Sequence, residues 1–165
     1  MAGYKGHIAG ATVCCGLAIA GVAILPGAIL AKTGGLLSNW QMVAGLFVVA
    51  ILFGLWPDID TNSKGQDIFF GTAFIFDIIL IWQGYIEAAA FLGLLAMTPV
   101  LGKHRGWTHS KLAMILVPLP LLVIPYIYKQ SLLQTAVLFY AAAVIGYFSH
   151  LLLDGLITKR IRFKT

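Results

Sequence analysis

The chain alternates long apolar runs with short polar breaks. The first run extends from about Ile8 to Leu30 and is rich in Gly and Ala, which allows helices to approach closely. Lys32-Thr33-Gly34-Gly35 reads as a turn. A second run, Trp40 to Trp56, stops at Pro57, and Asp58 to Asp67 is polar. A third run covers Ile68 to Trp82 and a fourth Tyr85 to Leu101, separated by Gln83-Gly84. Both fall short of the roughly 20 residues of a full helical span, so they are either tilted spans or a re-entrant hairpin. Gly102 to Ser110 is polar and basic. The fifth run, Leu112 to Tyr128, contains Pro118, Pro120 and Pro125, which predicts a kinked helix. The sixth runs from about Leu132 to Leu153, and a basic tail follows at Lys159 to Lys164. The pattern predicts an all-α fold: a polytopic transmembrane helix bundle of about six apolar segments. Residues 1–165 form one integral membrane domain, without room for a second.

Composition agrees. The chain is 60% hydrophobic and 10% charged, against about 25% charged residues in soluble domains. Its net charge of +5 comes from basic residues between and after the apolar runs. That placement fits topology signalling and contact with anionic lipid heads, and no nucleic-acid partner is expected. Cys14 and Cys15 are adjacent inside an apolar run and read as packing residues, not a disulfide framework. The first run is too long for a signal peptide and reads as a retained helix. Nothing in the sequence fixes the oligomeric state.

Counting sides sharpens this picture. If the runs cross in pairs, the Asp58 loop, the Gly102 to Ser110 loop and the C-terminal tail all return to the side of the N-terminus. A re-entrant hairpin preserves the same parity. Nine of the eleven basic residues then share that side: Lys5, Lys64, Lys103, Arg105, Lys111, Lys159, Arg160, Arg162 and Lys164. Lys32 and Lys129 lie on the other. The positive-inside rule makes the N-terminal side cytoplasmic, with both termini there.

The same count gathers the chemistry. All four histidines, His7, His104, His109 and His150, fall at or near helix ends on that side. Asp58, Asp60 and Asp154 join them. His150 and Asp154 are four apart, which stacks them on one helix face. The pair can offer nitrogen and carboxylate to one ion, or simply hydrogen-bond to each other. Asp58 and Asp60 follow Pro57. Two acids so close repel unless a cation lies between them; they are ion ligands, a ligand and a base, or an Asx-type turn. His104 and His109 are five apart, and a turn pivoting at Gly106 can bring them together. Arg105 can grip phosphate through its planar fork, or touch lipid heads. His7 is expected just before the first helix. Such a set suits zinc or another borderline divalent ion, one or a pair. Asp77, mid-way along the third run, needs a partner or a neutral form. Glu87 is expected at the far interface.

Taken together, an N-terminal His, Pro57-Asp58-x-Asp60, His104-Arg105-x-x-Thr108-His109-Ser110 and His150-x-Leu152-x-Asp154 resemble the YdjM-like family of bacterial membrane-bound metal-dependent hydrolases. The resemblance runs from His7 to Asp154. The motifs are also similar to those of zinc-dependent phospholipase C and the single-strand zinc nucleases. The resemblance implies an inner-membrane location and hydrolysis of a phosphoester. The leading expectation is therefore a hydrolase acting on a phosphorylated lipid or lipid-linked substrate at the cytoplasmic interface. His7, Asp58, Asp60, His104, His109, His150 and Asp154 are its candidate metal ligands. Asp60 doubles as the candidate general base and Arg105 as the phosphate holder. Two other readings stand beside it. A metal-ion or proton transporter would need polar ligands through the membrane depth. A non-catalytic adaptor would tolerate loss of the histidines.

Overall fold

The computed structural model describes residues 3–22, 24, 34–59, 63–98 and 107–155. Every regular element among them is helical. In chain order these are α1 (Tyr4–Val22), α2 (Trp40–Leu55), α3 (Lys64–Trp82), α4 (Ile86–Met97), α5 (Lys111–Leu116), α6 (Pro120–Tyr128) and α7 (Leu133–Leu153). Short 3-10 turns occupy Trp56–Asp58, Trp107–His109 and Gln130–Leu132. The expected all-α bundle is what forms.

Four segments are long and apolar enough to cross a membrane: Tyr4–Val22, Trp40–Asp58, Lys64–Trp82 and Gln130–Leu153. Two shorter apolar stretches, Ile86–Met97 and Lys111–Ile127, accompany them. The third run is thus longer than its apolar part suggested. Ser63 caps α3 by accepting the N–H of Gln66 at 3.2 Å, so the polar turn from Lys64 to Asp67 is already helical. α1 likewise begins at Tyr4, which puts His7 inside the helix and not before it. Hydropathy marks where lipid begins, whereas a helix continues through polar interfacial residues. The fifth run is interrupted at residues 117–119, where Pro118 and Pro120 each remove a backbone donor. The expected kink is a full break between α5 and α6.

The α1, α2 and α7 helices form the heart of the bundle, with α2 packed most extensively on α7 and α1 on both. Apolar side chains gain nothing by leaving lipid for protein, so close backbone approach must hold such helices together. Gly146 provides it. A Cβ there would overlap the carbonyl oxygen of Ala50 and lie 2.7 Å from its carbonyl carbon. Across the α1–α2 crossing, a Cβ on Gly54 would sit 3.0 Å from that of Ala11. Gly84, at φ +83°, turns α3 back into α4. α4 then ends near the same pole as α2, since the Trp56 indole N–H donates to the Leu95 carbonyl at 3.3 Å. Trp56 is itself packed among Tyr147, Trp107 and the core around Ile59 and Leu151.

Candidate metal centre

The close crossings bring three helix ends to one pole. His7 lies in the first turn of α1, Asp58 in the 3-10 turn that follows α2, and His150 and Asp154 at the end of α7. Pro57 ends α2 and tips Asp58 toward the bundle axis. The four side chains offer one donor atom each, all within 4.8 Å of one another. His7 Nε2 lies 3.7 Å from an oxygen of Asp58 and 3.7 Å from one of Asp154. His150 Nε2 lies 3.8 Å from Asp58 Oδ1 and 3.7 Å from Asp154 Oδ2. The two imidazoles stack with centroids 3.9 Å apart and planes at 18°.

Burial gives these distances their meaning. The side chains of His7, His150 and Asp154 are 1%, 0% and 1% exposed, and only Asp58 reaches solvent, at 30%. Both ring nitrogens of His7, Nε2 of His150 and both carboxylate oxygens of Asp154 have no hydrogen-bond partner. A buried polar atom left so costs about 1–3 kcal/mol. None of the contacts near 3.7 Å is short enough to be a hydrogen bond. One cation would satisfy the set at once. Tetrahedral zinc with bonds of about 2.1 Å has donor-to-donor edges of about 3.4 Å, a little under the separations observed. Two imidazole nitrogens and two carboxylates are a donor set that zinc accepts. The residues fit a divalent ion.

Surrounding contacts orient the donors. His150 Nδ1 donates to the Gly54 carbonyl at 2.8 Å, which leaves the Nε2 lone pair facing the carboxylates; ligating histidines are held in this manner. His109 stands beside the four and not among them, its Nε2 bonded to Asp58 Oδ1 at 3.1 Å. Its Nδ1 meets the Thr108 hydroxyl at 3.1 Å. When that hydroxyl donates, Nε2–H is left to donate to Asp58. The Tyr147 hydroxyl in turn donates to the Thr108 carbonyl and ties the 107–109 turn to α7. Sequence reasoning did not single out Gly54 or Tyr147, and met Thr108 only as one position of the motif from His104 to Ser110. Tyr147 left a signal: with His150 and Asp154 it makes a polar i, i+3, i+7 stripe in an apolar helix.

Of the expected ligands, His7, Asp58, His150 and Asp154 meet, and His109 adjoins them through Asp58. Asp60, His104 and Arg105 lie outside the described residues. Asp77 is elsewhere, on α3, with Oδ1 buried and unpartnered and its other oxygen near Gly93 of α4. The adjacent cysteines are free.

These features define a polytopic helical membrane protein with a buried His/Asp cluster at one pole of its bundle. A family model described as YdjM inner membrane protein matches residues 1–163, and the chain belongs to that family. The match says nothing of hydrolysis or of phospholipase C. Among curated proteins and solved structures, nothing matches the chain.

Proposed function

We propose that the protein is a metal-dependent hydrolase that cleaves a phosphoester of a membrane lipid or lipid-linked molecule at the cytoplasmic face. The observation that carries this reading is the convergence of His7, Asp58, His150 and Asp154 with buried, unsatisfied donor atoms. These four would hold the ion. A divalent ion in such a place supplies Lewis acidity, polarising a phosphoryl oxygen and making water a competent nucleophile near neutral pH. The protein's own groups do the rest. The Gly54 carbonyl fixes the ring of His150. His109 holds Asp58 in place through its Nε2. Asp60, two residues beyond Asp58, keeps the role of general base that its position suggests, and Arg105 that of phosphate clamp. Exposed Lys5, Lys64 and Lys111 lie at or near the same helix ends and would draw anionic head groups to the site.

The test is direct. Protein purified in detergent is loaded with zinc or manganese and given vesicles of phosphomonoester and phosphodiester lipids. Phosphate or head-group release is expected, and its loss in a His150→Ala/Asp154→Ala variant. Release that survives that double substitution, or none from metal-loaded wild type, sinks the reading.

A further inference from the structure

The α3 and α4 helices pack chiefly on each other and only lightly on the rest of the bundle. Asp77 lies on this hairpin, away from the metal centre. It stands five residues before Trp82, the last residue of α3, and so about 8 Å inside that end of the helix. Helical side chains tilt toward the N-terminus of their own helix, so the carboxyl points deeper into the apolar layer, not out to the nearer surface. A charge at this depth is expensive, and a neutral carboxyl still has a donor and acceptors to satisfy. The chain does not satisfy them. Oδ1 is buried without a partner, and the carboxyl makes no hydrogen bond or ion pair among the described residues. Oδ2 borders α4, where a Cβ on Gly93 would stand 3.6 Å from it.

Asp77 lines an opening of about 470 Å³ between the two helices, together with the small residues Gly71, Ala73, Gly93 and Ala96. Phe74 and Met97 also line it and are 65% and 60% exposed. A Cβ on Gly71 would meet nothing within 4 Å, so no described residue fills the space beside it. Lipid chains can cover such a face, but they bring no group that bonds a carboxyl. A second copy of the chain brings an identical carboxyl. Two carboxyls are self-complementary, because the O–H of one donates to an oxygen of the other. A two-fold interface makes that demand, since it joins the same patch on both subunits. An axis along the membrane normal puts both carboxyls at one depth. The small residues let the helices approach closely enough for the bond to form.

We propose that the α3–α4 face is the interface of a homodimer, in which the Asp77 carboxyls of two copies share a proton across a two-fold axis. The bond runs between the Oδ2 atoms, which border the opening, and Gly71 marks where the two chains come closest to it. The inference stands apart from the metal centre and from hydrolysis.

The experiment uses the full chain, labelled at its C-terminus with a donor or an acceptor fluorophore, in vesicles of phosphatidylethanolamine and phosphatidylglycerol. Energy transfer is followed as the protein is diluted with lipid. Wild type is expected to associate as a dimer. Asp77→Leu, which removes the hydrogen bond and keeps an apolar side chain of similar size, should raise the dissociation constant about tenfold. Asp77→Asn, whose amide both donates and accepts, should associate at least as tightly as wild type. Gly71→Leu, whose Cβ meets open space in the single chain, should weaken association about tenfold or more with native helical content by circular dichroism. Wild type that stays monomeric at every dilution overturns the proposal, and lipid or a different protein then covers the face. Wild-type association in Asp77→Leu or in Gly71→Leu overturns it as well. Association lost in Asp77→Asn as in Asp77→Leu does the same, because the carboxyl would then be needed for its charge, as a cationic partner would require.

Discussion

Replacing Gly146 by alanine tests whether the close crossing of α2 and α7 is what assembles the donor cluster. The new Cβ would overlap the Ala50 carbonyl oxygen and lie 2.7 Å and 2.9 Å from the Ala50 carbonyl carbon and Cα. All three are backbone atoms, so no side chain can swing away and the helices must separate. Overpacking typically costs about 1–3 kcal/mol, and a rigid obstacle puts this case at about 2–3. The displacement reaches the site, because His150 lies one turn beyond Gly146 and binds the Gly54 carbonyl across the same crossing at 2.8 Å. Opening the crossing by about 1 Å breaks that bond, since hydrogen bonds fade beyond about 3.2 Å. Losing such an orienting contact weakens metal binding about 10–100-fold. Gly45→Ala is the comparison: it also lies between α2 and α7, but its Cβ would meet the Phe139 ring at 3.1 Å, and a ring can turn aside. Thermal unfolding in detergent and zinc competition against a chromogenic chelator read both effects. The Gly146 variant should lose stability and affinity together, and the Gly45 variant little of either. Wild-type values for Gly146→Ala in both assays would refute the reasoning.

Further outcomes follow from the same contacts. Tyr147→Phe leaves the Thr108 carbonyl without its donor, which should cost about 1–3 kcal/mol in thermal unfolding while lowering zinc affinity less than Gly146→Ala does. Metal binding requires neutral imidazoles and ionised carboxylates, so protons compete with it. Zinc retention should hold at neutral pH and fall as the solution is acidified, since protons and metal compete for the same nitrogens and oxygens; retention that rises on acidification would contradict the donor set. Gly84→Ala places a side chain at φ +83°, a conformation costing about 1 kcal/mol or more, and should lower the unfolding temperature without changing metal content.

The sequence carried the pole of the bundle at which His7, Asp58, His150 and Asp154 meet. Counting crossings was enough, because each crossing reverses the chain and these four sit at helix ends. It carried a kink in the fifth run too, since proline acts on its own backbone, though the two prolines together make a full break. The start of α1 was hidden: Tyr4-Lys5-Gly6 precedes the apolar run that begins at Ile8, yet an interfacial helix turn tolerates it. The bond from His150 to Gly54 was hidden for another reason. A backbone carbonyl has no side-chain signature, and only the packing of α2 against α7 decides which one faces the ring. The pairing of His109 with Asp58, distant along the chain, depends on where the 107–109 turn docks, which Tyr147 determines from a third helix.

The metal content of the purified protein bears on all of this most directly. Wild type reconstituted with zinc, freed of excess and analysed by plasma mass spectrometry should retain about one ion per His7–Asp58–His150–Asp154 group. The His150→Ala/Asp154→Ala variant, still folded by circular dichroism, should retain none. Wild type that holds no more zinc or manganese than that variant would contradict the assignment of the cluster as a metal centre.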